Sequence, residues 1–173
     1  MLKLEEAQKL DANITQDDID ALEQKVRALS NNKFHHPHIK NFNLALMEKT
    51  ITTPEELIGY KVGDRIEIVG TKYNDGLYTV KAVDNHTITV EQEFISETNT
   101  KAFVVKIDYP LDVVNGIKQI IIYNKKMASK IGIKSESVAR MSVTYHDINK
   151  SDNSEGIPSS YWNFIKKYRK LKW

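Results

Sequence analysis

The chain has 173 residues, 40% hydrophobic and 28% charged, the balance of a soluble globular protein of one domain or one domain carrying a small insert. A net charge of +2 is too mild to argue for nucleic-acid binding by itself. The absence of cysteine excludes disulfides, thiolate nucleophiles and cysteine metal sites together. No apolar run approaches the ~20 residues needed to span a bilayer.

Charge is unevenly placed. Acidic residues crowd the first thirty positions (Glu5, Glu6, Asp11, Asp17, Asp18, Asp20, Glu23), and the last eight are strongly basic. Such polarity suits subunits that meet head to tail or an end that docks on an acidic partner; two solvated helix faces would look the same. Leu2 and Leu4 are followed at once by Glu5 and Glu6, so no basic-then-apolar signal pattern opens the chain, and assembly in a cytoplasm is expected.

The first predicted element is a short helix over 4–10, with Ala7 and Leu10 facing inward. Thr15 with Asp18 three residues later then makes a capping-box start. Ile19, Leu22, Val26 and Leu29 follow on one helix face, and Asn31 and Asn32 end it. From about Tyr60 the period changes to two. Runs over 65–69, 77–83 and 87–91 alternate, and 102–107 is rich in β-formers; Asn74, Asp75 and Gly76, then Asp84 and Asn85, supply turns between them. Four or five such strands suggest a small antiparallel barrel or curled sheet.

A third region opens at Pro110, well placed for the start of a helix. Val113, Val114, Ile117, Ile120, Ile121, Met127, Ala128 and Ile131 make that helix apolar over most of its circumference, as if buried on several sides, with Gly132 as its cap. The stretch 142–145 reads as extended and 150–156 as a polar loop. A last amphipathic helix begins near Pro158, with Tyr161, Phe164, Ile165, Tyr168 and Leu171 on one side and Lys166, Lys167 and Lys170 mostly off that stripe. Because helical segments flank the β segment, the expected fold class is α+β: a small helical bundle domain, 1–58 and 109–173, interrupted by an antiparallel β-barrel-like insert, 59–108.

Motifs for chemistry are sparse. His35, His36 and His38 invite a metal reading, but Pro37 forbids a regular helix, no cysteine exists and no acid lies close in sequence, so an exposed loop cluster is the better reading. No Gly-x-Ser-x-Gly elbow and no glycine-rich phosphate loop is present. No enzymatic activity, metal or cofactor is expected. The basic aromatic C-terminal stretch admits three readings: lysines on nucleic-acid phosphates, a docking surface for a partner, or a stripe that closes the protein's own core. The stripe itself reads as core, whereas residues past Tyr168 have no obvious core to enter and suit a tail that orders on a neighbour.

Several segments in order carry a family resemblance: Leu4, Glu5, Glu6 and Ala7 with 14–19; the apolar helix 110–130; Ile133 to Val138; Ser142, Val143, Thr144 and Tyr145; Gly156, Ile157 and Pro158; and the closing Tyr168, Arg169 and Lys170. Over both flanks, about two thirds of the chain, this resembles the head–tail connector (adaptor) proteins of long-tailed bacteriophages. The middle, from Gly63 and Asp64 through Tyr73 to Val80, is similar to small β modules of other phage structural proteins, and compact family members lack such an insert.

The resemblance implies a structural virion protein at the head–tail junction. It implies packed helices assembled into a ring of about twelve copies beneath the portal protein, with a stopper or tail-completion protein on the opposite face and DNA passing through the centre without sequence-specific binding. Membrane is not involved. The portal contact falls on Tyr161, Trp162, Phe164, Ile165, Tyr168, Arg169, Lys170, Leu171, Lys172 and Trp173, weighted to the part after Tyr168. Lys125, Lys126, Lys130 and Lys134 are candidates for the channel wall. The rival from another class is a nucleic-acid-binding module that uses the small β domain and the basic C-terminus.

Overall fold

The computed structural model describes residues 1–128, 135–138, 141–144, 153–154 and 157–171. The chain forms two compact units, Lys33–Tyr109 and a second made of Met1–Asn32 with Pro110–Trp173.

The Lys33–Tyr109 unit is a curled antiparallel sheet. Its strands are β1 (His35–Thr52), β2 (Arg65–Val69), β3 (Gly76–Thr79), β4 (Ala82–Val83) and β5 (Thr87–Ile107), in the order β1-β5-β2-β3 with β4 also on β5. β1 and β5 pair from His35 with Ile107 to Thr52 with Thr87. β2 lies on the late part of β5 and β4 on its early part. The chain changes partner between β3 and β4: Val80 donates its N–H to Asp64 O and Lys81 to Thr89 O, which turns a corner in the sheet. The curl wraps Leu44, Leu46, Ile51, Ile66, Ile68, Val80, Ile88, Val90 and Val104 into one core. Tyr60 enters this core with its hydroxyl on Val104 O at 3.2 Å, and burial pushes its phenol pKa up.

β1 owes its form to its partner more than to its own residues. Pro37, Asn41 and Asn43 are poor strand formers, and Asn43 and Glu48 sit at positive φ (59° and 51°). The register shifts between Phe42 and Leu44 and again on both sides of Glu48. Each irregularity re-phases the strand. Phe42 therefore faces outward while Leu44 and Leu46 are buried.

The other unit holds α1 (Leu4–Gln8), α2 (Gln16–Ser30), α3 (Leu111–Met127), two short antiparallel strand pairs (Ser135–Val138 with Met141–Thr144, Asn153–Ser154 with Ile157–Pro158) and a 3₁₀ helix, Ser159–Tyr168. The capping box of α2 forms as expected. Asp18 donates its N–H to Thr15 Oγ1, and the Asp18 carboxylate receives the Thr15 N–H and hydroxyl, which hold its pKa below the ordinary carboxylate value. The buried stripe of α2 is Ile19, Glu23, Val26 and Ser30, not Ile19, Leu22, Val26 and Leu29. Ser30 can lie inside because its hydroxyl bonds back to Val26 O at 2.7 Å.

Contrary to expectation, the protein is not a helical bundle carrying a β insert. β1, with 18 residues, and β5, with 21, together are longer than α1, α2 and α3 together, and the architecture is dominated by the curled sheet rather than by helices. The β segment begins at Lys33 and not near Ile58, and the expected separate strands at 87–91 and 102–107 are one strand. The three histidines lie at the start of β1 rather than in a loop. α3 buries a single stripe, Val113, Ile117, Ile120 and Ile121, and leaves Leu111 exposed. Its cap is Ala128; Gly132 lies outside the described residues.

Ile68 is fully enclosed in the sheet core. Ile68→Ala should cost about 2–5 kcal/mol, read as a lowered denaturant midpoint with unchanged slope.

Candidate functional site

The 3₁₀ helix sets which side chains of the C-terminal stretch are spent on the protein's own core. At three residues per turn, positions i, i+3 and i+6 share a face. Trp162 and Ile165 are accordingly buried, and Tyr168 follows them half-buried. Tyr161 and Phe164 fall on the adjoining row. Tyr161 packs its ring 4.6 Å from that of Tyr123 on α3. Phe164 covers Gly116, where a Cβ would lie 2.2 Å from the ring. Lys25 of α2 places its ammonium 4.7 Å from the Trp162 ring centroid.

Asp112, in the first turn of α3, holds the end of this helix. It accepts the Tyr168 hydroxyl at 2.7 Å and pairs with Lys167 Nζ at 2.7 Å. Those two hydrogen bonds, that of Lys167 first, keep its carboxyl below the ordinary value; the same contacts raise Lys167 and Tyr168. An acid in the first turn also suits the positive end of the helix dipole.

After Tyr168 the chain is extended, and its backbone lies on the end of α2. Lys170 donates its N–H to Ser30 O at 2.8 Å. Asn31 Nδ2 reaches Leu171 O at 3.0 Å and Lys170 O at 3.3 Å, and Asn32 Nδ2 reaches Tyr168 O at 3.2 Å. The side chains of Arg169, Lys170 and Leu171 remain exposed, Leu171 by 75%. Of the residues expected to contact a portal, Trp162 and Ile165 are therefore committed to the interior. Tyr161, Phe164 and Tyr168 are half-buried, and Arg169, Lys170 and Leu171 have surface to offer. Lys172 and Trp173 lie outside the described residues, as do Lys130 and Lys134. Lys125 and Lys126 end α3, where cations suit the helix dipole; Lys125 Nζ donates to Leu10 O at 2.8 Å.

Sequence reasoning read Asn31 and Asn32 only as a helix stop and did not single out Asp112 or Gly116. The position of Asp112, in the first turn of a helix that starts after Pro110, carries part of that signal; the Gly116–Phe164 contact has none, since 48 positions separate the two.

In the sheet unit, His35 Nε2 meets Glu67 Oε2 at 2.5 Å, and Lys33 Nζ lies 3.3 Å from Glu67 Oε1. Both carboxylate oxygens thus face a basic group, the arrangement of a structural ion pair. His36 Nδ1 accepts the backbone N–H groups of His38 and Ile39, each at 3.2 Å. Among the described residues no three acidic, histidine or cysteine side chains are grouped to hold a metal ion. His146 lies outside them. Lys40 covers the outward rings of Phe42 and Phe103, with its ammonium 4.6 and 3.5 Å from their centroids. Eleven acidic and nine basic side chains fall in 33–109, a balance that disfavours phosphate-backbone binding by this unit. Among the described residues no helix is long and apolar enough to cross a membrane.

No protein family's sequence profile matches the chain, and no curated protein matches it.

Two outcomes follow. Gly116→Ala should displace Phe164 and destabilise the unit by about 1–3 kcal/mol in urea titration, with Phe164→Leu recovering part of the loss. Asp112 has a lowered pKa in the fold, so its contribution is present above the ordinary carboxylate range and is lost as pH falls through the lowered value. In a Trp173→Phe background, the Asp112-dependent change in Trp162 fluorescence should therefore be confined to below about pH 4 and absent in Asp112→Asn.

Proposed function

We propose that this protein is a head–tail connector of a long-tailed bacteriophage, a structural subunit that sits between the portal and the next connector or stopper protein and surrounds the DNA exit channel. The observation that carries the reading is where the resembling segments fall. The acidic start, the apolar helix, the later short segments and the closing Tyr168, Arg169 and Lys170 come from opposite ends of the sequence, yet all belong to the unit made of Met1–Asn32 and Pro110–Trp173. One compact unit thus gathers every flank segment of the resemblance.

Portal attachment is assigned to the exposed basic strip that begins at Arg169. Arginine and large apolar residues are favoured at binding hot spots, and a strip whose backbone is already bonded loses less entropy on docking. Tyr161, Trp162, Phe164 and Ile165, in the preceding 3₁₀ helix, pack on the unit itself. The channel-wall assignment keeps Lys125 and Lys126 as its described members.

The test is co-sedimentation with purified portal rings. The full chain should sediment with them, and a chain ending at Tyr168 should keep its circular-dichroism spectrum and stay in the supernatant. Equal sedimentation of the shortened chain would remove the docking role of the strip. In parallel, a mobility shift on random-sequence duplex should be blank. A shift that weakens steeply with added salt would instead move the assignment to a nucleic-acid-binding module.

A further inference from the structure

We infer that Asn31 and Asn32 are positioning residues for the terminal segment: the turn they form at the end of α2 fixes where, and in which direction, the basic strip leaves the helical unit. The inference deepens the docking reading above and rests on it.

A helix ends with carbonyls that have no partner in the helix. α2 satisfies two of them through its own turn. Asn31 adopts the left-handed conformation, φ 47° and ψ 35°, which asparagine tolerates better than other residues with a Cβ. Its N–H then reaches Ala28 O at 3.3 Å, and the Asn32 N–H reaches Arg27 O at 3.2 Å, the paired bonds of a Schellman motif. With both backbone N–H groups used in the turn, the two side-chain amides are turned onto the last residue of the 3₁₀ helix and the segment after it.

The contact runs in both directions. Asn31 and Asn32 donate to the carbonyls of Tyr168, Lys170 and Leu171, and Lys170 returns its N–H to Ser30 O, a carbonyl that α2 leaves open. Every one of these bonds is to the main chain of 168–171. The side chains of Arg169, Lys170 and Leu171 take no part in them and stay exposed. A contact serving stability alone would be expected to bury Leu171; this one holds the backbone and displays the side chains. The cations of Arg169 and Lys170 also lie by a helix C-terminus, where the dipole favours positive charge. The partner this suits is an acidic surface with a pocket for a large apolar side chain.

The test uses Asn31→Gly with Asn32→Ala in the full chain. Glycine keeps the left-handed backbone, so the turn survives while both amides are lost. Hydrogen exchange should show the Lys170 amide exchanging faster, on the order of tenfold or more, with the Phe164 and Ile165 amides unchanged. Affinity for portal rings should fall on the order of tenfold. In a chain ending at Tyr168, which keeps only the Asn32 contact with Tyr168, the same pair of substitutions should lower portal binding no further than the truncation already does. Unaltered Lys170 exchange would overturn the clamp. Faster exchange with undiminished portal affinity would overturn its positioning role alone. Failure of the unaltered chain to bind portal rings would overturn the docking reading, and with it this inference, even if the exchange result is as expected.

Discussion

Asp108 donates its backbone N–H to Phe34 O at 2.9 Å, and beside this bond His35 pairs with Ile107 and the rings of Phe34 and Tyr109 lie 4.9 Å apart. The sheet unit therefore begins and ends at one place. A long segment can sit between two halves of a helical unit only if its own ends are brought together, since the halves must still meet. β1 and β5 meet this constraint by running antiparallel along nearly their whole length. The loop-closure cost of inserting 33–109 is met inside the sheet by its own ladder and core, and Met1–Asn32 and Pro110–Trp173 are left free to pack as one unit.

That second unit has its own economy of side chains. α3 gives one apolar stripe, and the 3₁₀ helix gives Trp162 and Ile165 to meet the interior, while Gly116 leaves room for Phe164. Because a 3₁₀ helix repeats every three residues, its inward face is narrow, and the chain can leave it at Arg169 already extended. The asparagine turn of α2 then takes up the main chain. Interior, anchor and display follow one another over little more than ten residues, and the displayed part carries the charge.

Local signals were legible in the sequence where they act locally. The Thr15–Asp18 box placed the start of α2, the alternation of 65–69 placed β2, and Pro110 placed the start of α3. What failed depended on partners far away in sequence. Phe42, Leu44 and Leu46 are spaced two apart, but Ala45 and Met47 blur the alternation, Pro37 and the asparagines mask it further, and the irregularity at Asn43 turns Phe42 to the opposite face from Leu44. Helical periodicity put Tyr161, Phe164 and Leu171 on the inward stripe of the last helix; the tighter pitch put Trp162 there, and the helix ends at Tyr168, short of the exposed Leu171. In the candidate site the basic character of 166–172 was plain, whereas the seat at Gly116, the anchor at Asp112 and the clamp at Asn31 and Asn32 exist only once two ends of the chain have folded together.

The connector proposal joins these parts: a unit whose helices would build the ring, a displayed basic strip to reach the portal, and the curled sheet of 33–109. An electron-microscopy reconstruction of portal rings incubated with the full chain tests this most directly. The proposal predicts an added ring of density on one face of the portal, with the strip from Arg169 onward at the junction. Portal rings that remain bare, or that carry the chain through its sheet unit with Arg169 to Leu171 facing solvent, would contradict it.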